Sequence, residues 1–386
     1  MYIKREAESN LKKWLSSNKI LLVLGARQVG KTTLMEHFLQ DKKAVFVNLD
    51  IAPEKAKFLA LSSLSPMEVI KGFGEPDFLV IDEAQRLKET SRIVKGWYDF
   101  GIASKIILLG SSSMNLLNQS AEALTGRNEK IFLPQLNFKE IVSAQSWYSD
   151  QFSPEDLAIK FSEQIKGVLL QSVIYGSYPG AILSPDKESF LLNLAADYLL
   201  KDILQIGALK DTEKIFKLLE LLAHQVGSEA SVNELSTNLG ISRLTVEKYL
   251  ELLEETFVIF RLPAFSTNQR KEISKNKKIY FWDNGIRNAI LKEFSFSPMR
   301  PDIGKLWENW VISEFAKKNL LSGKKISLYF WRSKSGSEVD LIVKENEKIS
   351  AFEIKWNGNK INKKAFENLY KTKVKLINSS NPFIPN

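Results

Sequence analysis

The chain has 386 residues, 54 Lys and Arg against 45 Asp and Glu, a formal charge of +9, and 44% hydrophobic and 26% charged residues. These are ordinary globular proportions over a length that suits two or three domains, and they exclude disordered and fibrous classes. The lack of cysteine excludes a disulfide scaffold, a Cys-ligated zinc site and a thiol nucleophile, while a histidine content limited to His37 and His224 argues against a His-rich metal centre or a Ser-His-Asp hydrolase.

The charge is unevenly placed. Residues 1–260 hold 29 basic and 33 acidic side chains, net −4, and residues 261–386 hold 25 basic and 12 acidic, net +13. The basic character therefore belongs to the last third. No apolar run reaches the roughly 18 residues of a membrane helix. The opening MYIKREAESN lacks the apolar core of a secretory signal, so a soluble cytoplasmic protein is expected.

In chain order, Ile20 to Leu24 (ILLVL) is an apolar, β-branched run that predicts a buried parallel strand. It leads into Gly25, Ala26, Arg27, Gln28, Val29, Gly30, Lys31, Thr32 and Thr33, which carry the G-x-x-x-x-G-K-T spacing of a phosphate-binding loop. The glycines let backbone N–H groups turn inward, and the following helix aims its positive end at the phosphates. Lys31 supplies a cation for β- and γ-phosphates, and the Thr32 hydroxyl can ligate Mg²⁺. A further strand is predicted at Val45–Leu49.

FLVIDEAQ (78–85) predicts a strand at Phe78–Ile81 ending in Asp82-Glu83, at the carboxyl edge where ligands gather in an open parallel sheet. Asp82 is expected to hold magnesium through water, and Glu83 to polarise an attacking water. Lys105–Leu109 predicts another strand, followed by Ser111–Ser113 and Asn115, among which Ser112 is a candidate for the γ-phosphate or the water. With helices expected at Thr32–Leu39, Ala84–Phe100 and around Ala121, the alternation predicts a doubly wound α/β domain.

These residues resemble the AAA-type P-loop ATPases of the AAA+ superfamily, in particular the bacterial and archaeal branch that joins such a domain to a C-terminal domain of unknown role. The likeness includes Thr125-Gly126-Arg127 followed by LPQLNFKEI (133–141), which closes the ATPase core in that family. It implies ATP and Mg²⁺ as ligands, ATP hydrolysis, and a role for Arg127 at a γ-phosphate, in its own site or across a subunit boundary. Action across a boundary implies a homo-oligomeric ring, such as a hexamer.

Beyond residue 150, apolar spacing predicts helices at Leu194–Leu204 and Ile215–Leu222. From Lys214 the layout is that of a winged helix. A first helix ends at His224, a capping box at Ser231–Glu234 starts a second, and Ser242 opens a third over Arg243–Glu255. A strand is expected at Thr256–Phe260. Arg243, Thr245 and Lys248 are candidates for DNA contact, against which ELLEE (251–255) is acidic and such modules also serve as lids or protein contacts. The basic stretch 261–280 reads as a connector or a phosphate-binding strip.

The last hundred residues predict a helix at Leu306–Phe315, then strands LYFWR (328–332), EVDLIV (338–343) and ISAFEIKW (349–356), with turns at Ser335-Gly336 and Glu345–Lys348. Glu353 and Lys355 are two apart and share a face. Asp340…Glu353-Ile-Lys355, with Glu308 from the preceding helix, resembles the PD-(D/E)xK signature of restriction-endonuclease-like folds, with Val339 in place of the proline. The likeness implies a divalent metal and phosphodiester cleavage; a cross-strand ion pair is the plainer alternative. The expected organisation is an ATPase domain over 1–150, a helical and winged-helix region over 151–265, and a basic α/β nuclease-like domain over 266–386. The expected function is ATP-driven binding or remodelling of DNA through the basic third. The alternatives are an ATP-gated endonuclease and a nucleotide-dependent switch for a protein partner.

Overall fold

A computed structural model describes residues 2–110, 124–198, 212–266, 277–333 and 335–384. The chain forms two compact units, Met1–Pro134 and Gln135–Asn386.

The first unit is built on a parallel sheet of five strands: β1 (Ile20–Leu24), β2 (Ala44–Asn48), β3 (Phe78–Asp82), β4 (Lys105–Gly110) and β5 (Asn128–Phe132), in the order β2-β3-β4-β1-β5. β1 and β3 are buried along their whole length, which is why they read as unbroken apolar runs rather than as alternation. Leu22, Leu24, Ile81 and Leu108 from the sheet join Phe58 and Trp97 in one core. The helix Lys31–Phe38 leaves β1, and the helices Ala52–Ser62, Pro66–Gly72 and Thr90–Phe100 follow β2 and β3. The single helix expected over Ala84–Phe100 is broken. Glu83 is left-handed (φ 51°), a short 3₁₀ turn covers Ala84–Arg86, Leu87 is extended, and the α-helix starts at Thr90. β5 carries a polar sequence, as an edge strand can. Ser111–Ser113, Asn115 and the helix expected around Ala121 lie outside the described residues.

In the second unit, the helices Ser162–Tyr175, Lys187–Tyr198 and Asn284–Leu291 pack together. The helices Thr212–His224, Val232–Leu239 and Arg243–Glu255 precede an antiparallel ribbon of β6 (Ile259–Leu262) and β7 (Lys278–Phe281). Only half of the expected capping box forms. The Ser231 hydroxyl accepts the Glu234 N–H at 3.4 Å, but the Glu234 carboxylate accepts from Gln225 Nε2 at 3.3 Å instead of reaching back. The expected strand at Thr256–Phe260 starts later, because Thr256 still caps the helix and Phe257 is left-handed (φ 57°).

The rest of the unit is the helix Ile303–Ser322 and a mixed sheet, β11-β10-β9-β8, of β8 (Ile326–Arg332), β9 (Glu338–Glu345), β10 (Lys348–Lys355) and β11 (Val374–Asn378). β8, β9 and β10 are antiparallel neighbours, and the helix Lys364–Tyr370 carries the chain to β11, parallel to β10. Trp307, Trp310, Val311 and Phe315 of the long helix meet Phe330, Leu341 and Phe352 of the sheet. Inside this helix, Lys317 (1% exposed) donates to Glu314 (2% exposed) at 2.7 Å, to the Leu136 carbonyl at 3.1 Å and to Ser177 Oγ at 2.8 Å. Glu314 also accepts the Phe138 N–H at 2.8 Å. No helix among the described residues is long and apolar enough to cross a membrane.

Candidate functional site

At the carboxyl end of β1 the backbone turns sharply through Gly25, where a Cβ would lie 2.1 Å from the Leu133 carbonyl oxygen. No other residue type tolerates that approach. Gln28 and Gly30 are left-handed (φ 56° and 91°), and Gly30 hands the loop to the helix Lys31–Phe38. Lys31 is buried, and its Nζ donates to the carbonyls of Gly25 (3.0 Å) and Ala26 (2.9 Å). It is thus folded over the cradle of its own loop. Arg5, 4% exposed, braces the loop by donating to the carbonyls of Val29 (2.8 Å) and Pro134 (2.6 Å). Sequence reasoning missed Arg5, which no motif marks.

The Thr32 hydroxyl donates to Asp82 Oδ2 at 2.7 Å, so the loop and the end of β3 meet as expected. Asp82 Oδ1 accepts the Glu83 N–H at 2.7 Å, and Gln85 Nε2 donates to Glu83 at 2.5 Å. The left-handed turn at Glu83 and this amide together fix the direction of its carboxylate. A hydroxyl and a carboxylate side by side are hard oxygen donors of the kind that fits Mg²⁺.

Near the C-terminus, β9 and β10 put Asp340 and Glu353 on directly neighbouring positions, because Leu341 pairs with Phe352. Asp340 Oδ2 accepts the Ile354 N–H at 2.7 Å. Glu308 of the long helix accepts from the Tyr280 hydroxyl at 2.7 Å. Burial, together with the charges of Glu308 and Glu353, pushes the Asp340 carboxyl up to about 8. All of the expected residues except Lys355 point into this cluster. Lys355 Nζ donates to the Lys360 carbonyl at 2.9 Å and is 3.7 Å from Glu353.

Sequence reasoning missed the cations that neutralise the cluster. Lys278, 5% exposed, lies 2.5 Å from Glu338 and 3.3 Å from Glu308, and Lys363 lies 2.7 Å from Glu353. Burial opposes the Lys278 charge, yet Glu308 and Glu338 hold its pKa above the ordinary value. Glu338 was visible in the sequence, two before Asp340 on one strand. Lys278 and Lys363 come from elements that no local pattern links to the cluster. Among the described residues no group of three His, Asp or Glu is arranged to hold a metal ion. The donor set here fits a divalent ion poorly, because Lys278 and Lys363 already pair with Glu308, Glu338 and Glu353, although Glu353 Oε2 is buried and accepts no hydrogen bond.

Residues 17–142 match the family model of an AAA domain. Residues 167–297 and 303–384 match two domains of unknown function, DUF8612 and DUF4143. A Walker-type ATPase of Pyrococcus abyssi superposes with a TM-score of 0.54 at 17% identity, covering 75% of this chain and 96% of that one, a likeness of fold. The first unit has the fold of a P-loop nucleotide-binding domain. Uncharacterised proteins of Mycobacterium tuberculosis (27% identical, 91% of this chain and 74% of that one) and Methanocaldococcus jannaschii (27% identical, 95% and 81%) are similar over both units.

In this domain the sheet register decides what Arg127 can reach. Asn128 pairs with Ile20 and Phe132 with Leu24, so Arg127 precedes β5 at the amino edge of the sheet, whereas the P-loop follows β1 at the carboxyl edge. Five strand residues span about 16 Å. Arg127 therefore does not reach the phosphates of its own site, and that half of the expectation is corrected. Its guanidinium lies on Asp99 (Nε to Oδ1 2.6 Å), which raises the Arg127 pKa and lowers that of Asp99. Ser112 lies outside the described residues.

Proposed function

We propose that the chain is an ATP-binding and ATP-hydrolysing AAA-type protein whose second unit holds DNA, so that nucleotide turnover loads or remodels the bound strand. The observation that carries the reading is the Thr32–Asp82 pair beside Lys31, with Glu83 next in chain, all at one edge of the sheet. Backbone N–H groups of Gly25 to Thr33, with Lys31, cradle the phosphates. Thr32 and, through water, Asp82 would hold Mg²⁺, which when bound would supply positive charge beside the phosphates. Glu83, oriented by Gln85, accepts a proton from the attacking water. Arg127 acts on the site of a neighbouring copy, released from Asp99, which implies a homo-oligomeric ring.

DNA binding is supported by the net charge of +13 over residues 261–386. It is also supported by the three helices and ribbon over Thr212–Phe281, which follow the winged-helix order and leave Arg243 and Lys248 exposed on the first half of the third helix. Helix, three antiparallel strands, helix and parallel strand is the order of a nuclease-like core. The lysine-neutralised carboxylates favour holding a strand over cutting it. ATP turnover measured with and without single-stranded, duplex and forked DNA tests the reading. Stimulation by one of them supports it, and a rate indifferent to all three at low salt rejects DNA as the partner. Cleavage products that vanish in Asp340→Ala would instead establish the ATP-gated endonuclease.

A further inference from the structure

The second unit contains an open cavity of about 890 Å³ between the end of the helix Asn284–Leu291 and the start of the helix Ile303–Ser322. That volume suits a small ligand or part of a larger one. Its lining includes Arg287, Lys292, Arg300 and Lys305 against Glu293 and Asp302. Arg287 and Arg300 are buried, at 3% and 7% exposure, and they share one carboxylate. Asp302 Oδ2 accepts from Arg287 Nη1 at 2.7 Å and from Arg300 Nη2 at 3.0 Å, while its Oδ1 accepts from Arg300 Nε at 2.6 Å. Glu293 stands 4.0 Å from Arg300.

Arg287 Nε donates to the Ala223 carbonyl and Nη1 also to Asn288 Oδ1, both at 2.9 Å, but Nη2 has no hydrogen bond to any described residue. The two buried guanidiniums face the half-buried Asp302 and the exposed Glu293, and with Lys292 and Lys305 the lining holds four cations against these two carboxylates, an excess of positive charge. Burial lowers the Arg287 pKa, with Arg300 adding to the effect against the pull of Asp302. Arg261, also penalised by burial, is raised because Glu254 and Glu247 both hold it. The long helix adds its positive end at this point, where Asp302 makes no side-chain cap to it. Phe296, half exposed between the lining residues Ser295 and Ser297, stacks on Tyr175 with ring centroids 5.9 Å apart.

We propose that this cavity binds the phosphate of a nucleotide or of a nucleic-acid strand, gripped by Arg287 and Arg300 and attracted by Lys292 and Lys305. The site lies wholly in the second unit, and neither the P-loop nor the DNA-remodelling reading has to be right for it to exist.

The test uses the full chain carrying Lys31→Ala, so that phosphate binding at the P-loop is weakened and common to every protein compared. Inorganic pyrophosphate is titrated calorimetrically at low salt, then competed against single-stranded oligonucleotides with a 5′-phosphate or a 5′-hydroxyl. Lys292→Glu/Lys305→Glu, two exposed positions, replaces attraction by repulsion and is expected to weaken pyrophosphate binding about tenfold or more. Arg287→Lys, which keeps the charge but loses the fork, is expected to weaken it as well. A stronger competition by the 5′-phosphorylated strand identifies a terminal phosphate as the ligand, and equal competition identifies the strand backbone. No pyrophosphate binding in the Lys31→Ala chain, or the same affinity in all three proteins, overturns the proposal.

Discussion

At the residue scale, Lys31 is held in place before any phosphate meets it, because the carbonyls of Gly25 and Ala26 accept from its ammonium. A triphosphate offers the same ammonium charged acceptors, and a hydrogen bond to a charged group is worth about 1.5–3 kcal/mol. Lys31→Ala is therefore expected to weaken ATP binding by about tenfold to a hundredfold in calorimetric titration. Asp340 makes a second prediction. Its folded pKa of about 8 lies above the unfolded value of 3.8, so it favours the folded state fully below pH 4 and loses that contribution as pH rises through about 8. The slope is at most about 1.4 kcal/mol per pH unit. Asp340→Asn keeps an acceptor for the Ile354 N–H but has no proton to lose. Between pH 6 and 9 its urea stability should decline less steeply than that of the wild type, and parallel curves would contradict the assignment.

At the element scale, the long helix Ile303–Ser322 carries the buried Glu314–Lys317 pair, where burial raises the Glu314 pKa against the pull of Lys317. Removing one partner of a buried pair strands the other charge at a cost of about 3–5 kcal/mol. Lys317→Met should lose that much in denaturant unfolding, and the double variant Glu314→Gln/Lys317→Met should recover part of it; equal losses would show that the pair is not coupled. The elements were legible where one physical signal dominated. β1, β3 and β4 stood out as apolar runs because both their faces are covered, and the third helix of the triple was marked by Ser242, whose hydroxyl accepts the Thr245 N–H at 3.1 Å. β5, with one buried residue, and the seven-residue helix Lys364–Tyr370 gave no such pattern, since their place is set by the neighbouring strands. In the carboxylate cluster, period-two spacing exposed Glu353 and Lys355, but only the assembled sheet shows that Lys278 and Lys363 neutralise it.

At the scale of the whole molecule, charge is divided unevenly along the chain. A first stretch of net −4 carries the phosphate loop, and net +13 is concentrated over residues 261–386. If that excess contacts a phosphate backbone, binding of a labelled DNA strand should fall steeply between 50 and 200 mM salt, by about tenfold or more, whereas ATP binding at the P-loop should change little. A salt-independent affinity for DNA would remove the electrostatic basis of the proposed partner. The fold of the first unit and the pairing of Thr32 with Asp82 make one demand of the chemistry, which is that hydrolysis needs both the loop lysine and the acid after β3. The most direct test is steady-state ATP hydrolysis by the full chain with Mg²⁺, compared with Lys31→Ala and Glu83→Gln. Turnover should be lost in Lys31→Ala, whose ATP binding is weakened, and lost in Glu83→Gln while ATP still binds as tightly. Undiminished turnover in either variant would contradict the assignment of this site.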